Sequence, residues 1–108
     1  MKYIDFIDYL INPEKLNDLY EKLNVDVESE ALIVCLKDSL DISSEVSIFG
    51  IEETEGDLVF EKEGQKYIEL FPVDYAIDLV DSDLELKGKG YSNSHIAKRL
   101  LDYRLNDA

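Results

Sequence analysis

Ser29-Glu30-Ala31-Leu32-Ile33-Val34-Cys35-Leu36-Lys37-Asp38-Ser39-Leu40 decides the architecture, because it can be read as a buried strand or as a buried helix. Leu32, Leu36 and Leu40 recur every four residues, as one face of a helix would. Ser29 is a residue type that caps helix N-termini, and Glu30 would fall in the first turn, where an acid meets the positive end of the helix dipole. These signals favour a helix over 29–40.

Downstream of Glu45 the period changes to two. The runs 46–51, 57–61 and 65–71 alternate as strands do, and Glu55-Gly56 and Glu63-Gly64 separate them as turns. Three strands joined by short turns predict an antiparallel meander. Upstream, Ile4, Ile7, Leu10 and Ile11 follow helical spacing, and Asn12-Pro13-Glu14 restarts the chain as cap, first helical residue and first-turn acid. Leu16, Leu19, Tyr20 and Leu23 would form the buried stripe of that second helix. Beyond the strands, Pro72 has no backbone donor and suits a first helical turn. Val73, Ala76, Ile77, Val80 and Leu84 then share one face. Lys87-Gly88-Lys89-Gly90 reads as a basic turn. Ser92 or Ser94 can cap a last helix with Ile96, Leu100 and Leu101 inward and Lys98, Arg99 and Arg104 mostly outside. The expected fold is a single α+β domain over 1–108, with N-terminal helices, a three-stranded antiparallel meander and C-terminal helices.

The charge is lopsided. The chain holds 25 acidic and 11 basic residues, and residues 1–86 alone carry 23 acids and 6 bases, a net −17. Residues 87–108 carry 2 acids and 5 bases, a net +3. Such a field attracts a basic protein and repels nucleic acid and anionic membrane. With 7 Tyr, 4 Phe and 45% apolar residues the chain still has the material for a core, which separates it from a disordered acidic tract. The N-terminus is broken by Asp5 and Asp8 where a signal peptide needs an apolar run, and no stretch nears the roughly 20 apolar residues of a membrane span. A cytoplasmic location is expected. Cys35, the only cysteine, lies in an apolar run and reads as a buried, inert thiol.

Two acidic groups stand out as partner-binding candidates. Asp74, Asp78, Asp81 and Glu85 fall at i, i+4, i+7 and i+11, so one continuous helix would carry them as a carboxylate stripe rising about 4.5–6 Å per member. Solvated helix faces usually mix signs, because opposite charges four apart add roughly 0.2–0.5 kcal/mol. A stripe of acids alone forgoes that gain, and Tyr75 beside it offers anchoring area. Glu52, Glu53, Glu55 and Asp57 would crowd a second patch onto a hairpin tip, where wet turns and charged sheet edges supply a plainer explanation.

Catalytic and metal motifs are not assembled. His95 is the only histidine, beside Ser94 at the expected start of the last helix. Asp81-Ser82-Asp83-Leu84-Glu85 departs from a calcium loop, with Leu86 where the loop needs Gly and Ser92 where it needs Glu. Gly90-Tyr91-Ser92-Asn93-Ser94-His95-Ile96-Ala97-Lys98-Arg99-Leu100 resembles the opening of a bacterial helix-turn-helix, but residues 101–108 leave no room for a turn plus the helix that reads bases. No enzyme activity, cofactor, metal or direct nucleic-acid binding is expected.

In size, acidity, single-domain build and the tract Leu70-Phe71-Pro72-Val73-Asp74-Tyr75-Ala76-Ile77-Asp78-Leu79, the chain resembles bacterial toxin-immunity proteins. That resemblance implies a small inhibitor, monomeric and in a one-to-one complex, that occludes the basic active site of a cognate toxin such as a nuclease. Tyr75 or Tyr91 would supply anchoring area beside the acids. A phage- or plasmid-encoded nucleic-acid mimic acting on a host enzyme is the first alternative. A small acidic scaffold, or an uncharacterised enzyme, is the other.

Overall fold

The structure, a computed structural model describing residues 1–106, makes the centre of the 29–40 stretch, Leu32–Lys37, a strand and not the expected helix. From the N-terminus, α1 (Tyr3–Ile11), a single 3-10 turn (Pro13–Lys15) and α2 (Leu16–Leu23) lead into β1 (Leu32–Lys37). Then come β2 (Val46–Gly50), α3 (Ile51–Thr54), β3 (Val59–Lys62) and β4 (Gln65–Pro72). The helix α4 (Val73–Asp78) runs into a π-helical turn (Leu79–Asp83), and α5 (Asn93–Asn106) follows. No helix among the described residues is long and apolar enough to cross a membrane.

The physical reason for the strand is burial on two sides. Val34 and Leu36 belong to the main core with Tyr3, Phe6 and Leu10 of α1. Ile33 and Cys35 are as deeply buried but stand outside that cluster, on the other face, as the two-residue period of a strand requires. Leu32 and Leu36, four apart, have the same parity, so a four-residue repeat suits one strand face as well as a helix. The β-branched pair Ile33-Val34 favours the strand.

This extra strand also replaces the meander with a four-stranded antiparallel sheet in the order β2-β1-β4-β3. The β3–β4 hairpin forms as expected, its two-residue turn at Glu63 and Gly64 having φ of 53° and 80°. Both values are positive, the turn type whose twist matches paired strands. β2 pairs with β1, however, and β2 and β3 are the two edges. The 52–57 segment is therefore no hairpin tip. It is a crossover from one edge of the sheet to the other, beginning with α3.

The helices cover one face of the sheet. α1 and α5 pack together, and the buried Tyr3 hydroxyl donates to the Ala97 carbonyl at 2.9 Å. Full burial of Phe6 and Leu10 contributes about 1.5–3 kcal/mol each. Ile96, Leu100 and Leu101 point inward as expected, and Ser92 caps α5 by accepting from the His95 amide at 3.1 Å. In α2, Leu16 and Leu19 are buried and Tyr20 is half-buried, but Leu23 is exposed, unlike the expected stripe.

The other face is curled and aromatic. Edge strands of a flat four-stranded sheet lie about 14 Å apart. Yet Phe49 of β2 meets Phe60 of β3 at a centroid distance of 5.3 Å and Tyr67 of β4 at 4.9 Å. The sheet must bend toward this face, and the bulge between Val34 and Cys35 helps it do so. Cys35 shares this face, fully buried, and its thiol pKa is pushed up to about 12, first by burial and then by the Glu69 carboxylate.

Candidate functional site

Two of the four acids of the crossover, Glu52 and Glu53, are engaged with the fold. The Gly50 amide donates to Glu53 at 3.0 Å, and the other Glu53 oxygen pairs with Lys62 of β3 at 2.6 Å. Lys62 also lies over the Phe49 ring, 5.0 Å from its centroid. A single carboxylate thereby ties the start of α3 to the far edge of the sheet, and the Lys62 hydrogen bond holds the Glu53 carboxyl below the usual carboxylate range. Glu52 turns the opposite way. It accepts from the Ser29 hydroxyl and, at 3.3 Å, from the Glu30 amide, and the Ser29 bond is the main cause of its lowered pKa. Glu55, at φ 54°, and Asp57 are exposed on the remainder of the crossover. Thr54 is 1% exposed, with its hydroxyl on the Ile51 carbonyl at 3.1 Å.

The expected stripe is broken. Asp74 and Asp78 are exposed one turn apart on α4. From Leu79 the helix widens, the Leu84 amide donating to the Leu79 carbonyl at 2.9 Å, so Asp81 no longer keeps α-helical register with them. Glu85 has φ 49° and lies beyond the helix altogether. All four are exposed, and none has a basic side chain at ion-pair distance among the described residues. Tyr75 presents 39% of its surface, with its hydroxyl 3.0 Å from that of Tyr103 and its ring edge-on to Phe71. Tyr91 is stacked on His95 at 4.4 Å.

What the fold brings together is Asp74 with a segment of which the sequence reading placed only residues 29–31 in a helix. Residues 24–31 form the connection from α2 to β1, with Asn24 in the left-handed region that ends α2. This connection and the entry to α4 bound a groove of about 270 Å³. Tyr20, Val27, Leu32 and Pro72 supply apolar surface, and Glu30 and Asp74 supply carboxylates. Ser29 also lines it, so Glu52 stands immediately behind. The Tyr20 hydroxyl is raised above the ordinary tyrosine pKa, first by burial and then by the Asp74 carboxylate. Val27 is 60% exposed, an apolar side chain left in water beside acids. Among the described residues no three His, Cys, Asp or Glu side chains converge as a metal site would require.

Tyr20, Val27, Ser29 and Glu30 were not singled out from the sequence as site residues. The available signal was Val25-Asp26-Val27-Glu28, where apolar and acidic residues alternate outside any strand. Comparison with models of protein families, with curated proteins and with solved structures gives no match.

Proposed function

We propose that the protein is a small acidic inhibitor that acts in the cytoplasm by occluding a basic site on another protein, most concretely as an immunity protein that neutralises a toxin nuclease. The observation that carries this reading is the groove at Asp74 and Glu30, in which exposed carboxylates with no basic side chain at ion-pair distance among the described residues flank exposed apolar surface. Interfaces built this way draw fast association from charge and residence time from apolar and aromatic contact. Net charge of −14 supplies the steering field. Direct nucleic-acid binding would have to overcome that same field.

The nucleic-acid mimic is a weaker reading, since a mimic gains from a regular row of charges and the π turn interrupts the row at Asp81. Inhibition in either case needs no chemistry from this chain, no cofactor and no metal. The complex is proposed as one to one.

The test is capture of a partner at low salt, followed by measurement of its charge and its association rate. The captured protein is expected to be basic, and its association rate to fall at least about tenfold between 50 mM and 0.5 M salt. A neutral or acidic partner bound with a salt-independent rate overturns the reading.

A further inference from the structure

The groove between the α2–β1 connection and the start of α4 is small, although Tyr20 and Val27 also line a neighbouring depression of about 450 Å³. At about 270 Å³ the groove falls below the roughly 300–1,000 Å³ of small-molecule pockets. Its composition is divided: the Tyr20 ring, Val27 and Pro72 give apolar surface, while Glu30 and Asp74 give negative charge. An occupant that satisfies both must be apolar along its length and cationic at its tip. Lysine and arginine meet that description, and two features favour arginine. A guanidinium is planar and weakly hydrated, so it can stack on an aromatic ring. It also has five donors in a fixed fork, enough for two carboxylates at once, whereas an ammonium is a compact point charge.

We propose that this groove receives an arginine side chain of the basic partner, with its stem along Val27 and Pro72 and its guanidinium at the Tyr20 ring between Glu30 and Asp74. Glu52 is a positioning residue here: by accepting from the Ser29 hydroxyl and the Glu30 amide it fixes the wall of the groove. The same Ser29 hydroxyl lies 3.1 Å from the Ala31 carbonyl, so its one proton is shared between that oxygen and the Glu52 carboxylate. The inference rests on the reading of the partner as a basic protein, but the chemistry of the groove can be tested without that partner.

The experiment is an amide NMR titration of the whole protein at low salt with acetyl-Gly-Arg-Gly-amide, its lysine counterpart and its citrulline counterpart, which keeps arginine's shape without the charge. The arginine peptide is expected to give saturable shifts confined to the neighbourhood of Tyr20, Val27, Ala31 and Val73. The lysine peptide should bind about threefold more weakly, and citrulline should leave the spectrum unchanged. Combining Glu30→Gln with Asp74→Asn should weaken the arginine peptide at least about fivefold, with the rest of the spectrum intact because both side chains are exposed. Absence of shifts, shifts spread over the acidic surface without saturation, equal binding of citrulline, or unchanged affinity in the double variant each overturn the proposal. If a basic partner is captured in a salt-dependent way while the peptide leaves the groove unmoved, the groove assignment fails and the inhibitor reading stands. If the peptide fills the groove but the captured partner is neutral, the inhibitor reading fails and the groove stands.

Discussion

The acids of the crossover and the acids of α4 look alike in sequence and differ in what they hold. Glu52 and Glu53 each bind a backbone amide and a side chain, and together they fasten the crossover to Ser29 on one side and Lys62 on the other. Asp74, Asp78 and Asp81 have no basic neighbour among the described residues. Partnership, more than local charge density, separates acids that maintain the fold from acids that remain available to another molecule. Glu52 and Glu53 are therefore weaker candidates for direct contact than the acids of α4, with Glu52 acting through the groove wall it positions, whereas Glu55 and Asp57 stay exposed.

The largest expected effect comes from disturbing the seat of the crossover. A Cβ on Gly50 would stand 2.5 Å from the Ser29 hydroxyl oxygen and 2.9 Å from its Cβ, closer than carbon atoms tolerate. Ser29 is itself held by Glu52 and cannot yield freely. Gly50→Ala should destabilise by about 1–3 kcal/mol in urea unfolding, in the range of other overpacked sites. A neutral result would mean that the crossover is loosely seated, and the contrast with α4 would lose its basis.

The Glu53–Lys62 pair ranks next. Both side chains are 42% exposed, so solvent screens them, and a double-mutant cycle of Glu53→Gln with Lys62→Met should give a coupling below about 1 kcal/mol. Coupling of zero would reduce Lys62 to an apolar cover for Phe49.

Half of this contrast could be read from the sequence, and the reasons are local. The alternation in 46–51, 57–61 and 65–71 and the Glu63-Gly64 turn mark strands through short-range geometry, so β2, β3 and β4 were legible to within a residue or two at their ends. β1 was not, because Leu32, Leu36 and Leu40 satisfy a four-residue and a two-residue period together, and a strand buried on both faces loses its alternation. The order of the strands was hidden for a related reason: apolar parity tells which face a residue takes but not which strand lies beside it. Asp74 and Tyr75 were visible as exposed residues on a helix. The groove was not, since Tyr20, Val27, Glu30 and Asp74 come from separate segments that meet only through the β1–β4 pairing.

Titration gives the third expected outcome, with opposite signs at two glutamates. Glu53, held low mainly by Lys62, contributes stability that is present above the unfolded-state value of about 4.3 and is lost as pH falls through its lower folded value. The difference between wild type and Glu53→Gln should therefore vanish in acid. Glu69 is raised by burial, with Arg104 opposing, so its ionisation costs stability as pH rises through and above that unfolded-state value. Glu69→Gln should be slightly more stable than wild type at neutral pH, and the gap should close below about pH 4. Chemical denaturation across pH 3–7 distinguishes the two, and matching signs would contradict the assigned causes.

The smallest effect on folding is expected from combining Asp74→Asn, Asp78→Asn and Asp81→Asn. Asp74 occupies the first turn of α4, where the dipole favours an acid by about 0.3–1 kcal/mol, and that gain is lost. Against this, removing the Asp74–Asp78 repulsion four residues apart returns about 0.2–0.5 kcal/mol. Asp78 and Asp81 lie farther along, where the dipole no longer helps, and neutralising them lowers the self-repulsion of a chain with net charge −14. These contributions nearly cancel, so unfolding free energy should stay within about 0.5 kcal/mol of wild type. The melting temperature of the triple variant should also rise less on adding salt, because three of the screened repulsions are already gone. A loss above about 1 kcal/mol would show that these carboxylates hold the structure as Glu53 does, and α4 would then no longer stand apart from the crossover as the surface free for a partner.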